Sequence, residues 1–196
     1  MTAPRAATEV DAPAMVEMLA RAFYDDPVFT WLFPDDGRRL EQSRKYFAGR
    51  ARTLIKQDEV YTVDGADAAA MWARPGEWHD PPIDVLRQFV HLVPALGRRI
   101  PRSLAGLRVI EERHPRAPHW YLSVLGTEPE RQGQGLGSAV MQPVLDECDR
   151  LEIPAYLETG TERNVAFYTR HGFKVTEEIQ MPDGPPMWLM WRDPRP

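Results

Sequence analysis

Residues 132–137 read Gln-Gly-Gln-Gly-Leu-Gly. An apolar run at 119–126 precedes them and reads as a strand; an apolar-periodic run at 136–151 follows and reads as a helix. A strand, a glycine-rich turn and a helix N-terminus bring unpaired N–H groups together, and the helix dipole there favours negative charge. Each glycine lets a ligand approach the backbone without a Cβ in the way. A phosphate or pyrophosphate ligand is the first expectation. The spacing lacks the Gly-Lys-Ser/Thr ending of an NTPase loop and is not Gly-x-Gly-x-x-Gly, so neither nucleotide fold is indicated. On spacing alone, a glycine-rich turn with no ligand stays open as the alternative. His114 and His119 stand five apart, and no carboxylate–His set has zinc-ligand spacing, so no metal is expected. His79 and His119 are candidate bases, although a lone His is more often structural.

Gln132-x-x-Gly135-x-Gly137 resembles the Gln/Arg-x-x-Gly-x-Gly/Ala motif of the GNAT superfamily of acetyl-CoA-dependent N-acetyltransferases. More of the chain shares the likeness. The run Trp-Tyr-Leu-Ser-Val-Leu-Gly-Thr at 120–127, the glycine loop, Tyr-Leu-Glu-Thr at 156–159, Asn164, Phe167, Tyr168, Gly172 and Phe173 are similar to the puromycin N-acetyltransferases and their bacterial relatives. The likeness is dense over 117–191 and weaker over 5–75.

The resemblance implies an α/β fold: a GNAT-type mixed, mostly antiparallel seven-stranded twisted sheet flanked by helices. It also implies splayed central parallel strands and a helical insertion before the central strand. Acetyl-CoA would be the acetyl donor. Pantetheine would lie along the strand edge at Leu125, Gly126 and Thr127, and backbone N–H groups of Gly133, Gln134, Gly135, Leu136, Gly137 and Ser138 would hold the pyrophosphate. Gln132 occupies a position that is often Arg and can orient the loop through its amide without adding charge. Asn164 and Phe167 map onto cofactor-contacting positions.

Two residues would carry the chemistry. Alternation places Tyr156 and Glu158 on one strand face, and the Glu158 carboxylate could take the proton of an ammonium acceptor. The resemblance gives Tyr168 the role of protonating the departing thiolate. A Tyr, with a pKa of about 10 against about 8.5 for a thiol, is protonated at neutral pH and suited to that task. Tyr24, Trp31 and Phe33 are candidate acceptor-pocket residues by the same resemblance, and Trp72 by its place at a strand end.

The implied function is acetyl transfer to a primary amine of a small molecule, such as an amine antibiotic or aminonucleoside, by direct attack in a ternary complex. Antibiotic resistance is one biological role that fits. Peptide or protein N-acetylation, and a non-catalytic acyl-CoA-binding module, are the alternatives. Composition sets bounds. With 196 residues and a net charge of -5, the chain is expected to be one domain spanning 1–196, with the insertion at about 76–117, and not a nucleic-acid binder. No 18-residue apolar stretch and no signal-peptide core are evident, and the single Cys148 rules out an internal disulfide. A cytoplasmic monomer or homodimer with no membrane partner is expected.

The elements that must position these residues follow from punctuation and period. A short strand at 5–10 leads to a helix capped by Asp11, with Pro13 in its first turn, ending near 25–27. An aromatic cluster fills 28–34. A helix is predicted at 36–56, with Arg38 and Arg39 as surface charges. Strands at 59–63 and 68–74 flank an Asp64-Gly65 turn. Two helices, at 83–96 and 100–113, make up the insertion. The strand at 154–159, the helix from 162 to 171 stopped by Gly172, and an antiparallel pair at 174–180 and 186–191 complete the chain.

Overall fold

The computed structural model describes residues 3–57, 59–79 and 96–195. Its strands are β1 (Arg5–Ala6), β2 (Val60–Thr62), β3 (Ala68–Ala73), β4 (Trp120–Thr127), β5 (Ala155–Thr159), β6 (Lys174–Gln180) and β7 (Pro186–Arg192). They form one seven-stranded sheet in the order β1-β2-β3-β4-β5-β7-β6. β4 and β5 run parallel, and the other pairings among the described residues are antiparallel. The helices are α1 (Ala12–Ala22), α2 (Pro27–Leu32), α3 (Asp36–Ile55), α4 (Ile100–Glu111), α5 (Leu136–Leu151) and α6 (Glu162–Arg170). The first insertion helix, predicted at 83–96, falls outside the described residues but for its last position.

Side-chain alternation decides how the layers stack. Every residue of β3, Ala-Ala-Ala-Met-Trp-Ala, is buried. Ala69, Met71 and Ala73 join a cluster with Met15 and Leu19 of α1 and Phe47 and Leu54 of α3. Ala68, Ala70 and Trp72 face the opposite layer, with Val140, Met141 and Leu145 of α5. A strand covered on both faces needs this unbroken apolar run, and its alanines let the helices approach closely. A third cluster joins Trp31 of α2 to Tyr156 of β5 and to Ile179, Met187 and Leu189 of the β6–β7 hairpin. β6 is the polar edge strand, exposed except at Ile179.

Two local expectations are corrected. Asp11 precedes α1 but its carboxylate does not cap it. It accepts from Arg5 Nη1 and Nη2 at 2.9 and 2.7 Å and from the Thr8 N–H at 2.8 Å. The arginine competes successfully for the oxygen and ties β1 to the start of α1. The segment after α1 is not only an aromatic cluster: Pro27–Leu32 is helical, with the Asp26 side chain accepting from Val28 N and Phe29 N as a true N-cap. α5 continues as one helix through Pro143.

The C-terminal strand is latched to α5 by charge. Arg192, 2% exposed, makes a bidentate pair with Asp149 at 2.8 and 2.6 Å and donates to the His171 carbonyl at 3.0 Å. The Arg192 hydrogen bonds hold the Asp149 carboxyl below its usual range, against burial, which pushes it up. A depressed carboxylate stabilises the fold above its unfolded pKa, and that stability is lost as pH falls through the folded value. Arg192→Leu is therefore expected to cost about 2–4 kcal/mol at neutral pH, by stranding a partly buried carboxylate. It should also flatten the fall in stability below about pH 4. Chemical denaturation at a series of pH values measures both.

Candidate active site

The central strands part. β4 and β5 pair only at Trp120 with Ala155 and Tyr121 with Tyr156. Further along, Leu125, Gly126 and Thr127 stay in register with Ala70, Ala69 and Ala68 of β3 but have no partner on β5. The divergence has a local cause. Between Met71 and Trp72 the register slips, so that Met71 faces Val124 while Trp72 faces Leu122, leaving Ser123 as an extra residue in β4. A bulge bends its strand and sharpens its twist. It also swaps faces: Trp120 and Leu122 join the α5 layer, whereas Val124 joins the α1 layer. The Ser123 hydroxyl accepts from Nη2 of the buried Arg50 of α3 at 2.6 Å. The result is a slot whose β4 wall presents bare backbone.

The glycine loop closes one end of the slot. Gly133 and Gly135 have φ of 77° and 83°, and Gly135 is the left-handed residue that opens α5. The first helical bond to this turn runs from Ala139 N to Gly135 O at 3.0 Å, so the N–H groups of Leu136, Gly137 and Ser138 precede the intrahelical ladder. A Cβ on Gly137 would lie 3.3 Å from Thr127 Oγ1 and 3.6 Å from the Phe167 ring; glycine there lets the helix start pack between β4 and α6. Gly126 likewise sits beneath α1, where a Cβ would collide with Leu19 Cδ2.

Polar contacts hold the loop. Arg21 of α1 pairs with Glu128 at 2.6 Å, Arg131 with Asp67 at 3.0 Å, and Arg131 Nε donates to the Gln134 side chain at 3.0 Å. The Gln132 amide donates to Thr127 O at 3.4 Å, the orienting contact a neutral side chain can supply. Ser138 Oγ lies 2.9 Å from His171 Nε2, and Asn164 donates to Thr159 Oγ1 at 3.3 Å, tying both ends of α6 to the slot.

Glu158 and Tyr168 bring the titratable chemistry. Ala155 and Leu157 face the α5 layer, and Tyr156 the opposite one. The Glu158 side chain, 5% exposed, has Oε1 3.5 Å from His114 Nδ1. Its charge helps burial push the Tyr121 and Tyr156 phenols up. Tyr168 is buried against Phe167 and Phe173, with ring centroids 5.2 and 5.9 Å away. Burial first, and then the charge of Asp26, raise its phenol above the ordinary tyrosine range, so it keeps its proton at neutral pH.

Leu125, Gly126 and Thr127 form the β4 edge that β5 leaves unpaired, residues 132–138 form the loop and first turn of α5, Glu158 lies on β5, and Asn164, Phe167 and Tyr168 lie on α6. The acceptor-pocket candidates are each packed or hydrogen-bonded. Trp72 is 0% exposed in the α5 layer, on the same face of β3 as Ala68 and Ala70. Phe33 is 1% exposed in the α1–α3 core. Tyr24 donates to Asp36 O at 3.2 Å, beneath the Arg39 guanidinium. Arg39 is no surface charge: it is buried, donates to Phe33 O at 2.7 Å and pairs with Asp36.

Trp31 fills a slot made by two glycines. A Cβ on Gly106 would lie 2.7 Å from its ring, and one on Gly184 2.6 Å from Nε1. Nε1 donates to the Pro182 and Asp183 carbonyls at 3.2 and 3.0 Å, and Arg102 stacks 4.7 Å from the ring centroid. Trp31→Ala is therefore expected to cost about 3–5 kcal/mol of stability, read as a lowered denaturant midpoint, while the acceptor KM of the folded fraction stays constant.

Sequence reasoning missed Asp26, Arg50 and the His114–His119 contact. The Asp-Pro step at 26–27 is a helix-start signal that would have found the first. Nothing local marks the other two.

The family model described as the acetyltransferase (GNAT) family matches residues 63–173. The chain belongs to this family. Its seven-stranded sheet with one parallel pair is the fold of solved structures. A Corynebacterium glutamicum structure described as histone acetyltransferase HPA2 and related acetyltransferase is 27% identical, with a TM-score of 0.71 over 100% of this chain and 98% of that one. The polyamine N-acetyltransferase of Drosophila melanogaster shares the fold at 13% identity and a TM-score of 0.62, covering 98% of this chain and 100% of that one. An uncharacterized N-acetyltransferase of Schizosaccharomyces pombe is 25% identical over 90% of this chain and 77% of its own. The protein is thus a GNAT N-acetyltransferase. Among the described residues no cluster of His, Cys, Asp and Glu could hold a metal ion, and no helix is long and apolar enough to cross a membrane.

Proposed function

We propose that the protein transfers an acetyl group from acetyl-CoA to the primary amine of a small molecule. The observation that carries this reading is the parting of β4 and β5 after two paired residues, beside a helix that begins with a left-handed glycine. The residues fit coenzyme A. Leu125, Gly126 and Thr127 offer strand edge to an extended amide chain, and the first-turn N–H groups of α5 offer donors to a pyrophosphate. Bound there, acetyl-CoA supplies an activated thioester.

The chain's own groups do the rest. Backbone donors at the β4 edge polarise the acetyl carbonyl. Glu158 draws a proton from the acceptor ammonium and frees the nitrogen lone pair for direct attack. Tyr168, kept protonated, supplies the leaving sulfur with a proton. Narrow burial around Glu158 favours a compact amine over a peptide. The Drosophila relative is named for polyamines, and that name agrees with a small cationic acceptor, but at its low identity the reading rests on the site.

A panel of amines, polyamines, aminonucleosides and N-terminal peptides, incubated with acetyl-CoA, tests this by free-thiol release. Turnover confined to small amines is expected. Turnover confined to peptides would overturn the acceptor class.

A further inference from the structure

Behind Glu158 lies a pair of buried histidines in direct contact. His114, on the segment after α4, and His119, just before β4, are 6% and 2% exposed. Their Nε2 atoms are 3.0 Å apart, and His119 Nδ1 is 2.7 Å from the Ala117 carbonyl oxygen. Trp78 stacks on the His114 ring, with centroids 3.6 Å apart.

These contacts fix where the protons sit. A carbonyl oxygen only accepts, so His119 Nδ1 carries a hydrogen. Burial, reinforced by His114, holds the His119 imidazole below its usual value, against the opposing pull of the Ala117 carbonyl and Glu158. Neutral His119 therefore presents a lone pair on Nε2, and His114 Nε2 must donate to it. That leaves His114 Nδ1 with a lone pair 3.5 Å from Glu158 Oε1, a buried oxygen that makes no hydrogen bond of its own among the described residues.

We propose that His114 is a positioning residue that acts through Glu158 by taking up the proton drawn from the acceptor amine. This inference rests on the assignment of Glu158 as base. An N–H bond of the ammonium breaks, its electron pair stays on nitrogen, and an O–H bond forms on Glu158. That O–H then breaks as Nδ1–H forms, leaving an imidazolium beside a restored carboxylate. The Ala117 carbonyl, acting through His119, sets the tautomer that leaves Nδ1 free. The imidazolium returns its proton to water once product has left. Among the described residues, the titratable and charged groups around His114 are Glu158 and Tyr156 on β5, Tyr121 on β4, and His119. Arg50 and Tyr46 of α3 act on Tyr121, and Glu177 of β6 on Tyr156.

Two readouts test the relay. In wild-type protein with 15N-labelled histidine, long-range proton–nitrogen spectra between about pH 5 and 9 should show His119 protonated at Nδ1 throughout. A hydrogen on His119 Nε2 with a bare Nδ1 would overturn the wiring, whether or not any amine is turned over. In kinetics, His114→Gln should lower kcat about 10–100-fold with the acetyl-CoA KM unchanged. The acid limb of kcat/KM should move, because one member of the coupled Glu158–His114 pair is gone. A rate loss with the limb unmoved would mean His114 only props up the site. Failure of wild-type turnover itself would instead tell against the proposed function.

Discussion

Tyr168→Phe is expected to lower kcat about 10²–10³-fold while leaving acetyl-CoA affinity nearly unchanged. The buried ring stays, with its contacts to Phe167 and Phe173; only the proton source goes. Burial and the nearby Asp26 hold the phenol protonated, which suits an acid that acts late, on a sulfur gaining charge. Steady-state thiol release and cofactor titration measure the two quantities separately. A non-catalytic acyl-CoA-binding module would tolerate the change without loss of function. Equal losses in turnover and affinity would place Tyr168 in binding instead.

Gly135→Ala is expected to have the complementary effect. The residue opens α5 at φ 83° and ψ 0°, where an L side chain costs about 1–2 kcal/mol. Relaxing that strain turns the first N–H groups of α5 away from a common point. Acetyl-CoA should bind about tenfold or more weakly if this cost falls on the bound state, with kcat at saturation largely kept. The fold should hold, because Leu136, Val140 and Met141 still bury the helix in its layer. A variant with unchanged affinity would mean that other groups hold the phosphates.

The contrast between these variants follows what the sequence made legible. The loop was readable because its glycines stand between an apolar run and an apolar-periodic one, and α3, expected at 36–56, is observed at Asp36–Ile55. The face of Glu158 followed from alternation. Alternation also failed at one point: Ser123 adds a residue to β4 without interrupting Trp-Tyr-Leu-Ser-Val-Leu, so Leu122 faces the α5 layer and Val124 the α1 layer. Such a bulge arises from pairing with β3, which no single strand displays. Arg39 was misread because its environment is not local in sequence. Charged side chains usually meet solvent, but here the carbonyls of Tyr24, Phe33 and Pro34 satisfy the guanidinium, while glycines at 106 and 184 make room for the Trp31 ring. The His114–His119 contact joins two residues of one irregular segment and has no period to announce it.

Titration calorimetry of the full chain with acetyl-CoA, run beside Gly135→Ala, tests most directly whether the parted strands and the α5 N-terminus form a coenzyme A site. One molecule bound per chain in the micromolar range, weakened in the variant, is the expected result. No heat of binding with acetyl-CoA or free coenzyme A, under conditions where the protein is folded, would contradict it.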